Sequence, residues 1–151
     1  YINKLLKIST YFNMIEVKSD SPYLLKFLDF YRKDLNHFFP FFNFNENDIL
    51  KKSNMNFYFI LRDLIPAGLL IIEKNKEYSY IHIDYVIPAF RDLKIAKFIF
   101  LENGKFFNDN GFNRLRTHAS NNLHKSYLER IGFQKISNDE RGIIYEKTFN
   151  F

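Results

Sequence analysis

The side chains best suited to chemistry lie between positions 73 and 133. His82 and Asp84 are two residues apart in an alternating run, so an unbroken strand would present both on one face. Imidazole titrates near neutrality, which suits a base acting on an ammonium ion. A carboxyl such as Asp84 reaches the same range when burial raises its pKa; Glu73 is a more distant third candidate. Just beyond, Val86-Ile87-Pro88 ends the strand and Arg91-Asp92-Leu93-Lys94-Ile95-Ala96 opens a helix. The unpaired N–H groups of such a helix start can seat a phosphate. Farther on, Tyr127 stands shortly before Gly132-Phe133. The four histidines (37, 82, 118 and 124) lack metal-ligand spacing, and the chain has no cysteine. No metal site, disulfide or thiolate nucleophile is therefore expected.

These residues need a scaffold, and hydrophobic periodicity supplies one. A first strand is expected over 12–17. Ser21 and Pro22 open a helix whose apolar stripe is Leu24, Phe27, Leu28, Tyr31 and Leu35. An aromatic loop, 38–44, and a short helix, 47–51, follow. Strands are expected at 56–62, 67–73 and 78–87, with turns at 63–66 and 75–77. The middle one is an apolar run up to its last residue, Glu73, as in a strand buried on both faces. In the third, Ile81, Ile83 and Tyr85 face one way and Tyr80, His82, Asp84 and Val86 the other. One helix then runs from Asp92 to Asn110-Gly111, with Ile95, Ala96, Ile99, Phe100, Phe106 and Phe107 on its apolar side. A strand over 112–119 runs parallel to 78–87, because a whole helix intervenes. Ser120 caps a last helix ended by Gly132, and 133–137 with 143–149 form a closing hairpin.

Composition narrows the class. The chain has 151 residues and 46% hydrophobic content, enough for one domain with a core. The formal charge of +5 comes from 22 basic and 17 acidic side chains. The basic residues are spread out, and no helix-turn-helix or RNA-binding signature is present. The charge is read as a lysine-rich surface, and no nucleic-acid partner is expected. No apolar run reaches the roughly 18 residues of a membrane span, and no signal peptide is visible.

The order of elements, the helix-start segment and the Tyr127–Phe133 segment together resemble the GNAT superfamily of N-acetyltransferases, over essentially the whole chain. The resemblance implies an α/β (α+β) fold: a mixed, mostly antiparallel central sheet of about seven strands, the fourth and fifth parallel, flanked by helices. It implies a single acetyltransferase domain over 1–151. Acetyl-CoA would be the co-substrate, its diphosphate held by the backbone amides of a Q/R-x-x-G-x-G/A segment. Arg91 and Ala96 match that segment, while Lys94 stands where Gly is usual. Val86, Ile87, Arg91, Asp92, Leu93, Lys94, Ile95, Ala96 and Asn121 are the cofactor-binding candidates. A bulge near 84–86 would open a gap for the pantetheine arm, with the Val86 N–H facing the thioester carbonyl.

Tyr127 matches the Tyr of N-x-x-A-x-x-x-Y-x-x-x-G-F, and the resemblance makes it general acid toward the departing thiolate. Ser120 and Leu123 replace the Asn and Ala of that pattern, and Asn121 is the alternative for the Asn contact. His82 and Asp84 are the base candidates, His82 aligning with a catalytic His of serotonin N-acetyltransferase. The acceptor is an unidentified amine of a small molecule or protein. The loop 38–44 either walls the acceptor site or plugs the core. The alternative function is a catalytically inactive, acyl-CoA-binding sensor. A monomer or homodimer in the cytoplasm is expected. The opening residues faintly resemble bacterial proteins with a membrane domain ahead of a GNAT domain, which would tether this one to the inner membrane.

Overall fold

The structure is a computed structural model and describes residues 11–43, 51–91 and 93–150. Seven strands form one sheet: β1 (Phe12–Val17), β2 (Met55–Arg62), β3 (Ile65–Lys74), β4 (Ser79–Val86), β5 (Arg114–His118), β6 (Gln134–Asp139) and β7 (Gly142–Thr148). Their order is β1-β2-β3-β4-β5-β7-β6. All pairings are antiparallel except β4 with β5. The expected fold class, a mixed and mostly antiparallel seven-stranded sheet with the fourth and fifth strands parallel, is what the chain adopts. The expected helix over 47–51 lies outside the described residues, apart from its last residue. Among the described residues no helix is long and apolar enough to cross a membrane.

Alternation along β2 and β3 builds a core on each face of the sheet. Phe57, Phe59, Leu69 and Ile71 meet Leu24, Phe27, Leu28 and Leu35 from α1 (Pro22–Phe30) and α2 (Arg32–Phe38). Tyr58, Ile60, Leu70 and Ile72 meet the opposite layer. That layer comprises α3 (Leu93–Lys97), a π turn (Phe98–Glu102), α4 (Gly104–Asp109) and α5 (Asn122–Arg130). Each fully buried Leu or Ile contributes about 1.5–3 kcal/mol, so β3, covered on both sides, anchors the sheet.

Four expectations need correction. The helix through Leu35 breaks at Tyr31 (φ −101°, ψ 14°). The break lets α2 turn so that Leu35 is buried and Asp34 reaches Tyr85. The helix after Asp92 is not regular: Asn103 N–H bonds to Phe98 O, five residues back, which makes the π turn. The turn after β2 is only Asp63-Leu64, both at positive φ (49° and 71°). That is the backbone twist a two-residue hairpin requires, and two hydrogen bonds between Asp63 and Tyr11 hold it.

The fourth correction matters most. The register irregularity in β4 falls at His82, not near 84–86: Ile71 pairs with Ile83, and Ile72 with Ile81. Two β4 residues thus oppose one step of β3, as in a bulge. Ile81 joins the core of Leu115 and Tyr145, whereas Ile83 and Tyr85 join the core of α1 and α2. His82 packs its ring on Phe42, on the α1–α2 side. Asp84 bonds to Tyr127, on the α5 side. The two base candidates therefore do not share a face.

Candidate active site

β5 leaves β4 after two residue pairs, Ser79 with Leu115 and Tyr80 with Arg116. Thr117 Oγ1 closes the fork by donating to Ile81 O at 3.1 Å. Beyond it a cavity of about 430 Å³ opens, lined among others by Asp84, Val86, Arg91, Asn121, His124 and Tyr127.

The backbone of β4 aims a donor into this gap. Ile87 N–H bonds to Ala67 O at 2.9 Å. In an antiparallel ladder successive residues point their polar groups to opposite sides. Val86 N–H, one residue earlier, therefore points away from β3 toward the gap. Val86 O accepts from Arg91 Nε at 2.9 Å. Ile87 itself is buried, and its N–H and C=O serve Ala67 and Phe90.

Tyr127 O–H donates to Asp84 Oδ2 at 2.9 Å. Burial raises the Asp84 carboxyl to about 6, the Tyr127 hydrogen bond opposing part of that rise. Burial and the neighbouring carboxylate push the Tyr127 hydroxyl well above 10. Asn121, not Ser120 as expected, caps α5, its Oδ1 accepting from His124 N–H at 2.8 Å.

His124 is a cavity residue that the sequence reading missed. Its Nδ1 accepts from Ser120 N–H at 3.0 Å, which leaves the proton on Nε2. Burial lowers the imidazole to about 4, so it is neutral at pH 7. The available signal was its place three residues before Tyr127, on the same helix face.

Arg91 does not reach outward from the helix start. Its guanidinium pairs with Asp34 and lies 4.9 Å from the Phe38 ring centroid and 5.4 Å from that of Tyr85. Burial acts upward on Asp34, yet the hydrogen bonds from Tyr85 and Arg91 hold it below its ordinary range. Leu93, Lys94, Ile95 and Ala96 open α3, whose first-turn amides have no carbonyl four residues back within the helix. Lys94 is exposed, the Ile95 and Ala96 side chains are buried, and none of these three lines the cavity. Asp92 lies outside the described residues.

His82 lines a second, smaller cavity of about 150 Å³, together with Phe39, Phe42, Tyr80 and His118. Its Nε2 is 2.9 Å from Glu73 Oε1. Burial lowers the His82 pKa more than Glu73 raises it. Burial acts upward on Glu73, but the His82 contact keeps it below its ordinary value. Phe38, Phe39, Ser120 and His124 line both cavities, so the two adjoin. The aromatic loop thus packs Phe42 into the core and also walls both cavities.

No protein-family model and no curated protein sequence matches the chain. Solved structures do. The PaiA N-acetyltransferase of Thermoplasma acidophilum, in complex with coenzyme A, superposes with a TM-score of 0.67 at 15% identity, over 92% of this chain and 99% of that one. A GNAT-family acetyltransferase of Staphylococcus aureus Mu50 gives 0.70 at 14% identity, over 93% and 100%. An aminoglycoside 6'-acetyltransferase of type Ii gives 0.65 at 13%, over 91% and 97%. With its seven-stranded order and its fork between β4 and β5, this chain has the fold of the GNAT acetyltransferases.

Proposed function

We propose that this chain, read as one domain over 1–151, is an N-acetyltransferase that moves an acetyl group from acetyl-CoA to an amine. The observation that carries the reading is the Tyr127–Asp84 hydrogen bond in the gap where β5 leaves β4. Acetyl-CoA supplies the activated acyl group. The residues suit it: an unspent Val86 amide for the thioester oxygen, first-turn amides of α3 for the diphosphate, and a hydroxyl for the sulfur.

In this reading His82, neutral and backed by Glu73, takes a proton from the attacking amine through Nδ1. Asp84 is the other base candidate. Val86 N–H donates to the oxygen on which charge develops. Tyr127 gives its proton to the leaving thiolate. A Tyr held well above 10 is a reluctant donor, and the fraction of Asp84 that holds a proton, about a tenth at pH 7 for a carboxyl raised to about 6, restocks it. The proton passes from Asp84 to Tyr127 and from Tyr127 to sulfur, leaving a carboxylate and a neutral phenol.

Tyr127→Phe should lower kcat about 100-fold, within the range for a removed general acid, with acetyl-CoA affinity changed less than about twofold. Loss of affinity and turnover together would make Tyr127 structural. Acetyl-CoA should raise Tm by mass action, and no shift at millimolar concentration would remove the transferase. The sensor alternative draws on Arg91 being held by Asp34 and on Lys94 at the Gly position. It predicts binding without thiol release for any amine.

A further inference from the structure

One cluster of titratable side chains takes no part in the transfer chemistry above. The Tyr80 hydroxyl lies 2.6 Å from His118 Nδ1. His118 Nε2 lies 2.9 and 3.1 Å from the two oxygens of Asp139. The Asp139 carboxylate accepts the Nε2 proton, and in that tautomer Nδ1 meets the Tyr80 hydroxyl as an acceptor. In that tautomer Tyr80 donates its proton to His118, its oxygen takes the His118 backbone N–H, and one lone pair is left for another donor. Tyr80 lines the second cavity, which gives that lone pair something to read.

The rest of the cavity narrows the ligand. Phe39 and Phe42 form flat apolar walls, and the loop carrying them is clamped at two points. Arg91 lies over Phe38 at 4.9 Å, and Arg141 over Phe41 at 4.6 Å. Among the lining residues described, Arg141 is the one permanently charged group, and it is a cation. Two carboxylates stand behind that lining, Glu73 on His82 and Asp139 on His118, so the apolar walls and Tyr80 select the ligand rather than its charge. Tyr80 precedes Asp84 by four residues, about 13 Å at roughly 3.3 Å per residue. The Tyr80 ring lies 4.8 Å from that of His82, so a tail at Tyr80 sits beside the proposed base, and the adjoining cavities let one molecule span both.

We propose that the second cavity receives the far end of the acceptor: a flat, apolar group bearing a hydroxyl or N–H that donates to Tyr80. Its role as an acceptor subsite rests on the transferase reading. The acceptor is then an amine with such a tail. A site built around a hydrogen bond rejects the analogue that lacks the donor.

The test separates the subsite from the reaction. Phenol and fluorobenzene are titrated into the protein while the imidazole NMR signals of His82 and His118 are followed. Phenol should move both signals and bind about tenfold tighter than fluorobenzene. In Tyr80→Phe, which keeps the ring, the two probes should agree within about twofold. Asp139→Asn, at a half-exposed position, should weaken phenol severalfold and leave fluorobenzene unchanged. Equal binding of the probes to the unaltered protein, or a phenol preference that survives Tyr80→Phe, overturns the proposal. Thiol release from acetyl-CoA is measured in parallel with tyramine and phenethylamine, and tyramine should have the higher kcat/KM. Turnover without a phenol preference removes the subsite alone. A phenol preference without turnover for any amine keeps the donor-reading cavity and removes the transferase.

Discussion

Asp84→Asn should make this protein more stable and less active, and the gain should depend on pH. The Asp84 carboxyl is raised from 3.8 to about 6, chiefly by burial. The folded state thus holds a proton more tightly than the unfolded chain does, and above pH 6 it must carry a buried charge. The difference, 6 − 3.8, is about 2.2 units, and at 1.36 kcal/mol per unit it amounts to roughly 3 kcal/mol. Asparagine can still accept the Tyr127 hydroxyl, so the variant removes the charge and keeps the hydrogen bond. Below about pH 4 the two proteins should be equally stable. The advantage of the variant should grow between about pH 4 and 6 and level off near 3 kcal/mol by pH 7. For a domain of this size that is an increase in Tm of about 6–12 °C. Urea unfolding of both proteins across pH 4–8 measures it, and subtracting the curves cancels the other carboxylates. Thiol release should fall about 100-fold, because the variant cannot restock Tyr127. A stability difference that does not vary with pH, or a less stable Asn variant at pH 8, would refute a buried, raised Asp84.

Three further outcomes follow from separate features. Asp34→Asn removes the anion that holds Arg91. Calorimetric titration should show acetyl-CoA binding severalfold tighter, with a steeper salt dependence as the guanidinium turns to phosphate; unchanged affinity would mean that Arg91 does not serve the diphosphate. Phe107→Ala empties a site fully buried against Phe100, Phe112 and Phe149. It should cost about 3–5 kcal/mol in urea unfolding. Gly132 ends α5 at φ +93°, where a Cβ is strained. Gly132→Ala should cost about 1–2 kcal/mol, with turnover lost only as far as the fold is lost.

Periodicity made the scaffold legible because each strand and helix buries a stripe. The apolar run 67–73 could only be a strand covered on both sides, and Gly111 and Gly132 stop helices by adopting positive φ. What was not legible depends on partners remote in sequence. Counting residues in β4 cannot reveal that β3 pairs across one of them. The Arg91–Asp34 pair spans 57 positions and exists because α2 breaks away at Tyr31. The link from Tyr80 through His118 to Asp139 joins three strands and has no local signature. Tyr127, by contrast, was found because its helix ends in a local Gly-Phe signal.

The bulge at His82 gives a physical reason for dividing the chemistry as proposed. In a regular strand His82 and Asp84 would face the same layer, and one base would compete with the other for a single substrate. The added residue turns Asp84 toward α5 and Tyr127 and leaves His82 toward Glu73 and Phe42. Each then has its own companion. Asp84 meets a phenol that needs a proton to give away, and His82 meets a carboxylate that steadies the proton it would receive. The thiol and amine of a transfer reaction have opposite proton needs, and they can meet across a fork open to both faces of a sheet. Deleting Ile81 would let His82 pair with Ile72 and return both side chains to one face. Such a variant should keep the sheet and the Tyr127–Asp84 bond and lose the His82–Glu73 contact, a loss visible as a changed imidazole titration of His82 by NMR; an unchanged His82 titration would refute the reasoning.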